Sequence, residues 1–222
     1  MSSVRVRLPA QRGELRARSE DGHRLHHLLW RLGPGVRVCS SAVLGGGIGP
    51  RAWVLNAQVP GGYPRLDPDR HLAEIAAAEG LTGPGAGLMT AADVAAYTTG
   101  HDGGVAATVT AGLGVRGWAA APDGAQAPPF RPGTVNIVVT LPVALSDAAL
   151  VNAVATATEA KVQALLDAGL DCSGTPTDAV CVAAPEPGPD GGEPFAGPRS
   201  TWGARIARAV HSAVLAGARP AA

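Results

Sequence analysis

The stretch SGTPTDAVCVA (173–183) sets one carboxylate, Asp178, at the mouth of a run of β-forming apolar residues, with the hydroxyls of Thr175 and Thr177 beside it. A carboxylate so placed can cap a turn by accepting backbone N–H groups. It can also take a proton from water at the edge of a buried site. The local sequence leaves both roles open. A second unusual charge lies just upstream. With residues of helix 146–169 placed at ~100° steps, Leu150, Val154, Ala157 and Leu165 form one apolar stripe, and Lys161 falls inside it. Asn152, Thr156, Glu159, Gln163 and Asp167 make the polar face. The lysine either runs its methylenes along apolar surface and carries its ammonium to an edge, or it is buried and needs a carboxylate partner. Asp178 is the nearest acid in the strand that follows.

Other polar residues stand where alternation expects core. In GTVNIVVTL (133–141), Val135, Ile137, Val139 and Leu141 share the core face, which leaves Thr134, Asn136, Val138 and Thr140 on the other. Asparagine is depleted in strands, so Asn136 is either a hydrogen-bonded brace or part of a site. Asn56 holds a similar place in 51–59, and Thr108 and Thr110 share a face in 105–114. Together they suggest a polar pocket on one sheet face. The glycine-rich GGGIG (45–49) can approach a ligand through bare backbone N–H groups, but it matches neither a dinucleotide fingerprint nor a Walker loop and reads first as a hairpin turn. No G-x-S-x-G elbow is present. His23, His26 and His27 read as a surface cluster, and Cys39, Cys172 and Cys181 follow no metal-ligand spacing.

These groups need elements to carry them. Residues 36–44 and 51–59 read as strands joined by the glycine turn in an antiparallel pair. Asp67 and Pro68 start a helix that Gly80 stops. Residues 87–99 are ambiguous, with Thr90 or Asp93 able to cap a short helix; 105–114 and 133–141 are strands. Ser146 or Asp147 caps the long helix and Gly169 ends it. A strand from Asp178 and a final amphipathic helix from Ser200 complete the order. This predicts an α+β domain of mixed α/β layers, with a mixed, largely antiparallel sheet and helices packed on it. Residues 1–35 read as a polar lead with at most one strand, and 36–222 as a single domain. The Pro- and Gly-rich 117–133 is a surface loop rather than a boundary, since neither side has a closed core of its own.

Hydrophobic residues make up 46% of the 222, but aromatics only 4%, so the core must be built from Ala, Val, Leu and Ile. The balance of 18 basic against 18 acidic residues gives no basic face for nucleic acid. No apolar stretch is long enough to span a bilayer, none near the start has signal-peptide form, and unpaired cysteines suit a reducing cytoplasm.

Read in order, CSSAVLGGG, VLNAQV with Tyr63 and the Asp67–Pro68 pair, GLMTAAD, TVTAGLG, GTVNIVVTL, ATATEAKVQALLD, SGTPTDAVCVA and FAGPRSTWG resemble the adenosylcobinamide amidohydrolase family. The segments are collinear over roughly residues 36–210, and Ser173 replaces the family's usual threonine while keeping a hydroxyl. The resemblance implies cleavage of the aminopropanol amide of adenosylcobinamide, or its phosphate or a related corrinoid, to adenosylcobyric acid during corrinoid salvage. The implied partner is a corrinoid small molecule whose cobalt belongs to the substrate, so no protein-bound cofactor or metal is expected. The oligomeric state is left open. Amide hydrolysis needs an activated nucleophile, donors for the oxyanion and an acid for the leaving amine. The expected assignment makes Asp178 the base, Asn136 with the glycine backbone the oxyanion donor, and Lys161 the tuning group or acid. Ser40 or Ser41 as direct nucleophile competes with it, and self-cleavage near GTVNIVVT to expose an N-terminal Thr or Ser is a further scheme. The expected substrate-binding set is Ser40, Gly45, Gly46, Gly47, Asn56, Thr90, Thr110, Thr134, Thr175 and Thr177, with Trp53, Tyr63 or Trp118 available to the corrin ring. A corrinoid carrier or sensor without catalysis is the alternative from another class, and hydrolysis of a different amide is a third.

Overall fold

Alternation along the strands sorts side chains onto two faces, and in this protein both faces are covered. The computed structural model describes residues 12–122 and 133–219; most of the 117–133 loop, and residues 1–11 of the lead, lie outside them. Two sheets are stacked. One has four strands in the order β1 (Glu14–Glu20), β2 (His23–Arg31), β5 (Trp53–Gln58), β6 (Gly85–Thr90). The other has six, in the order β4 (Gly47–Pro50), β3 (Val36–Ser40), β10 (Ala179–Pro185), β9 (Val135–Thr140), β8 (Val105–Ala111), β7 (Thr98–Asp102). Neighbours are antiparallel except for β5 with β6 and β9 with β10, which are parallel.

Three apolar clusters define four layers. Leu28, Trp30 and Val54 from the smaller sheet meet Val38, Val138 and Cys181 from the larger. The outer face of the larger sheet packs Val135, Ile137 and Val182 against α2 (Asp147–Asp167) and α3 (Thr201–Ala218). The outer face of the smaller sheet packs Leu29 and Leu55 against Leu72 and Ile75 of α1 (Pro68–Ala78). The α+β class and mixed pairing expected from the sequence are observed, with the strands divided between two sheets rather than one.

Several local expectations change. Residues 36–40 and 53–58 are not partners. The glycine-rich stretch is itself part strand: β4 pairs with β3, Gly47 against Ser40, and the chain then crosses to the other sheet through Arg51 and Ala52. Positive φ at Gly45 (63°) and Gly47 (88°) allows that tight reversal. The lead region holds two strands rather than at most one, and β1 pairs with β2 over the whole length of β1. His27 is fully buried, with its Nε2 3.1 Å from Glu79 Oε1, so it is no surface histidine. Residues 87–99 resolve into the end of β6, a 3-10 turn at Val94–Ala96 capped by Asp93, and the start of β7. Thr156, expected on the solvent face of α2, is buried because the 186–200 loop covers it; its hydroxyl donates to Ala196 O at 2.8 Å. Ser146 caps α2 by accepting from Ala149 N at 3.1 Å.

Candidate active site

Asp178 immediately precedes β10, whose Ala179 is in register with Asn136 of the parallel neighbour β9. That offset brings its carboxylate to the start of β9, where Oδ1 accepts from Val135 N at 2.8 Å. The Thr175 hydroxyl also donates to Oδ1, and Thr175 N donates to Oδ2 at 3.1 Å. Lys161 Nζ reaches Oδ2 from α2 as a short ion pair. The lysine in the apolar stripe is therefore buried and paired, with side-chain exposures of 8% for Lys161 and 11% for Asp178. Gly174 makes the close approach possible: its φ is +146°, and a Cβ there would run into both the carboxylate and the ammonium.

Asp178 lines a cleft of about 380 Å³, at the small end of the range for small-molecule pockets. Ser41, Thr90, Thr134, Thr177 and Tyr63 share it, along with the apolar Val43, Val59, Leu88, Met89 and Ala179. Two of these hydroxyls are anchored as acceptors. Ser41 Oγ accepts from Val180 N at 3.1 Å, and Thr90 Oγ1 accepts from Ala92 N at 3.0 Å. Neither donates to a described residue, so each keeps its own proton for the cleft. Thr134 and Thr177 are bonded to each other at 2.6 Å, and Thr177 also donates to Gly133 O.

The remaining expected residues lie elsewhere. Asn136, 1% exposed, gives both amide hydrogens away, to Asn56 Oδ1 at 2.8 Å and to Met89 O at 3.1 Å. Asn56 in turn donates to Thr110 Oγ1 at 3.0 Å. This chain of amides ties β8 and β9 of one sheet to β5 and β6 of the other, and its donors are engaged in that brace. Ser40 is buried, with its hydroxyl donating to Val180 O. Gly45 lines a second hollow with Arg51 and Trp53, where the arginine donates to the carbonyls of Gly45 and Gly46. Neither Gly45, Gly46 nor Gly47 lines the Asp178 cleft. Trp53 is core, 6% exposed. Trp118 is 45% exposed in a turn held by Gly117 N donating to Gly174 O and Ser173 Oγ accepting from Ala119 N.

The sequence reading missed a buried histidine at this site. His71, 3% exposed, is hydrogen-bonded to Tyr63 Oη through Nδ1 at 3.0 Å, and its Nε2 lies 2.8 Å from Glu20 Oε1. Its signal was available: His71 stands four residues before Ile75 on the apolar face of α1. Burial raises the Tyr63 phenol above its ordinary range, with Asp67, Glu20 and Glu74 acting the same way and Arg65 against. The Cys181 thiol, between the sheets, is pushed up to about 12 by burial, which leaves it without nucleophilic character at neutral pH. Among the described residues no three His, Cys, Asp or Glu side chains cluster to hold a metal ion, and no helix is long and apolar enough to cross a membrane.

Comparison with known proteins agrees with the motif order. The family model for adenosylcobinamide amidohydrolase matches residues 12–221. An adenosylcobinamide amidohydrolase of Methanosarcina mazei is 33% identical over 186 residues, covering 80% of this chain and 88% of that protein. One of Halobacterium salinarum is 45% identical over 95 residues, 43% of this chain and 38% of that protein. The match takes in the β1–β2 hairpin, the Asp178 cleft and all three helices, and the chain belongs to the adenosylcobinamide amidohydrolase family, hydrolases of a carbon–nitrogen amide bond.

Proposed function

We propose that the Asp178 cleft hydrolyses the amide joining the aminopropanol arm to adenosylcobinamide, or to its phosphate. The products are adenosylcobyric acid and the amino alcohol, and the reaction returns salvaged corrinoid to cobalamin biosynthesis in the cytoplasm. The observation that carries this reading is the cleft itself, small and divided between hydroxyls and apolar side chains, in a chain of this family. Its volume suits one amide arm and not a corrin macrocycle with its axial adenosyl group. The arm enters and the ring stays at the mouth, where Val43, 51% exposed, offers apolar surface on the same cleft as Tyr63. The cobalt stays with the substrate.

Within this reading, the free protons of Ser41 and Thr90 converge on the cleft and donate to the developing oxyanion. Their oxygens are fixed by backbone N–H groups, so little reorganisation is needed. Asp178 is assigned to positioning. A carboxylate has about four lone-pair sites, and Lys161, Thr175 N, the Thr175 hydroxyl and Val135 N occupy them. A base so fully bonded must release a donor before it can take a proton. The test is to incubate the protein with adenosylcobinamide, with and without phosphate, and to follow cobyric acid and free amino alcohol by mass spectrometry. Many turnovers support the hydrolase, whereas bound, uncleaved corrinoid at one equivalent makes the protein a carrier.

A further inference from the structure

With Asp178 saturated, amide hydrolysis still needs a group that accepts a proton from water and one that protonates the leaving amine. Tyr63 lines the same cleft. Behind it runs a chain of polar contacts drawn from three parts of the sequence. Tyr63 Oη lies 3.0 Å from His71 Nδ1 on α1, His71 Nε2 lies 2.8 Å from Glu20 Oε1 on β1, and Arg18 Nε donates to Glu20 Oε2 at 2.8 Å. The phenol and imidazole rings are nearly parallel, 6° apart, with centroids 5.7 Å apart. A carboxylate held by Arg18 has no hydrogen to offer, so the Nε2–Oε1 approach favours the tautomer with its hydrogen on Nε2. Nδ1 is then an acceptor, and the Tyr63 phenol donates to it. Carboxylate, imidazole and hydroxyl stand in the order used by hydrolytic triads, with the carboxylate orienting the ring and favouring the imidazolium once it forms.

We propose that Tyr63 is the proton-shuttling catalytic residue of this cleft, with His71 and Glu20 as the positioning residues that supply and hold the proton. The proposal rests on the amide-hydrolysis reading above. In the first step a water oxygen attacks the amide carbon, and the carbonyl electron pair moves onto oxygen, facing Ser41 and Thr90. The water's proton passes to Tyr63 Oη as the phenol's own proton passes to His71 Nδ1, leaving an imidazolium beside the Glu20 carboxylate. In the second step the carbonyl re-forms and the C–N bond breaks. The departing nitrogen takes the Tyr63 proton while Nδ1 returns its proton to Oη. One water is consumed, the relay ends as it began, and no oxidant or other reactant is required. The raised Tyr63 phenol fits this cycle, since it stays protonated between transfers. The charged groups facing the relay are Arg18 and Glu20 from β1, Arg65 and Asp67 from the loop, and Glu74 from α1.

The experiment is steady-state hydrolysis of adenosylcobinamide across pH by the wild type, Tyr63→Phe, Glu20→Gln and Glu20→Asp. Tyr63→Phe keeps the ring and should lower kcat by about 10²–10⁴ with KM nearly unchanged. Glu20→Gln should lower kcat and displace the acid limb of its pH profile, and Glu20→Asp should recover part of the rate. A second measurement does not depend on deleting a side chain. The chain has two tyrosines, so in a Tyr97→Phe background 3-fluorotyrosine substitutes Tyr63 alone, and the more acidic phenol should move the alkaline limb to lower pH. A Tyr63→Phe enzyme with undiminished kcat, one altered only in KM, or an alkaline limb insensitive to fluorination overturns the relay while leaving the hydrolase reading in place. A wild type that releases no amino alcohol overturns both.

Discussion

Substituting Asp178→Asn removes one charge and almost no volume, so its consequences isolate what the carboxylate does. The carboxylate accepts from Val135 N, Thr175 N, the Thr175 hydroxyl and Lys161. An asparagine keeps one accepting oxygen and turns an NH₂ toward groups that are themselves donors. The Thr175 hydroxyl can rotate to accept; a backbone N–H cannot. Lys161, with its side chain 8% exposed, loses its counterion. Removing one partner of a buried pair costs about 3–5 kcal/mol, and the remaining exposure places this case near about 3 kcal/mol. At a urea dependence of about 2–3 kcal/mol per molar, the unfolding midpoint should fall by about 1–1.5 M. Lys161→Met should cost less, because three donors still hold the carboxylate. The double variant should lose less than the two single losses added together. The assay is urea unfolding followed by circular dichroism for all four proteins. An Asp178→Asn midpoint equal to that of the parent, or strictly additive losses, would refute the claim that this pair anchors the cleft wall.

Three further outcomes follow from the same geometry. Gly174→Ala should be at least as damaging as Asp178→Asn, since its φ of +146° and a Cβ directed into Asp178 and Lys161 both oppose it; a midpoint near that of the parent contradicts this. Asn136→Ala leaves Asn56 Oδ1 and Met89 O without their donor between the sheets, and should cost about 2–4 kcal/mol in urea unfolding, with a loss under about 1 kcal/mol counting against the inter-sheet brace. The Arg65 guanidinium bonded to Asp67 lowers that carboxyl to about 2 from its ordinary 3.8. A depressed carboxyl contributes fully above its ordinary value, and the contribution disappears as pH falls through the folded one. Amides of the loop carrying Tyr63 should therefore lose exchange protection between about pH 4 and pH 2, and protection that survives that window would contradict the role given to the Arg65–Asp67 pair.

What could be read from the sequence was whatever depends on period. The faces of β9, the span of α2 and the misfit of Lys161 all follow from residue spacing, and the pairing of Lys161 with Asp178 follows from the cost of an unpaired buried charge. Asn56, Asn136 and Thr110 were correctly grouped as inward-facing, but period cannot say whether an inward amide faces a ligand or another strand. Here it faces the second sheet. Partner choice among strands is non-local: spacing alone pairs residues 36–44 with 51–59, whereas β3 lies between β4, inside the glycine-rich stretch, and the distant β10. The β1 edge strand is only marginal in the sequence because most of its side chains are exposed and show no apolar alternation. His27 reads as a surface residue because its partner Glu79 lies far along the chain, and the relay to Tyr63 is not legible because its members lie on separate elements.

If an amide arm enters the cleft between Ser41, Thr90 and Asp178 while the corrin ring remains outside, filling the cleft should stop the reaction. Ala91 lines that cleft and is not engaged in the polar network described, so Ala91→Phe fills the space without touching the proposed chemistry. Release of aminopropanol from adenosylcobinamide should be measured for the wild type and this variant side by side, with unfolding midpoints taken for both. The wild type should turn over repeatedly, and a folded Ala91→Phe protein should not. Equal rates from the two proteins, or no release by the wild type, would contradict this placement of the arm.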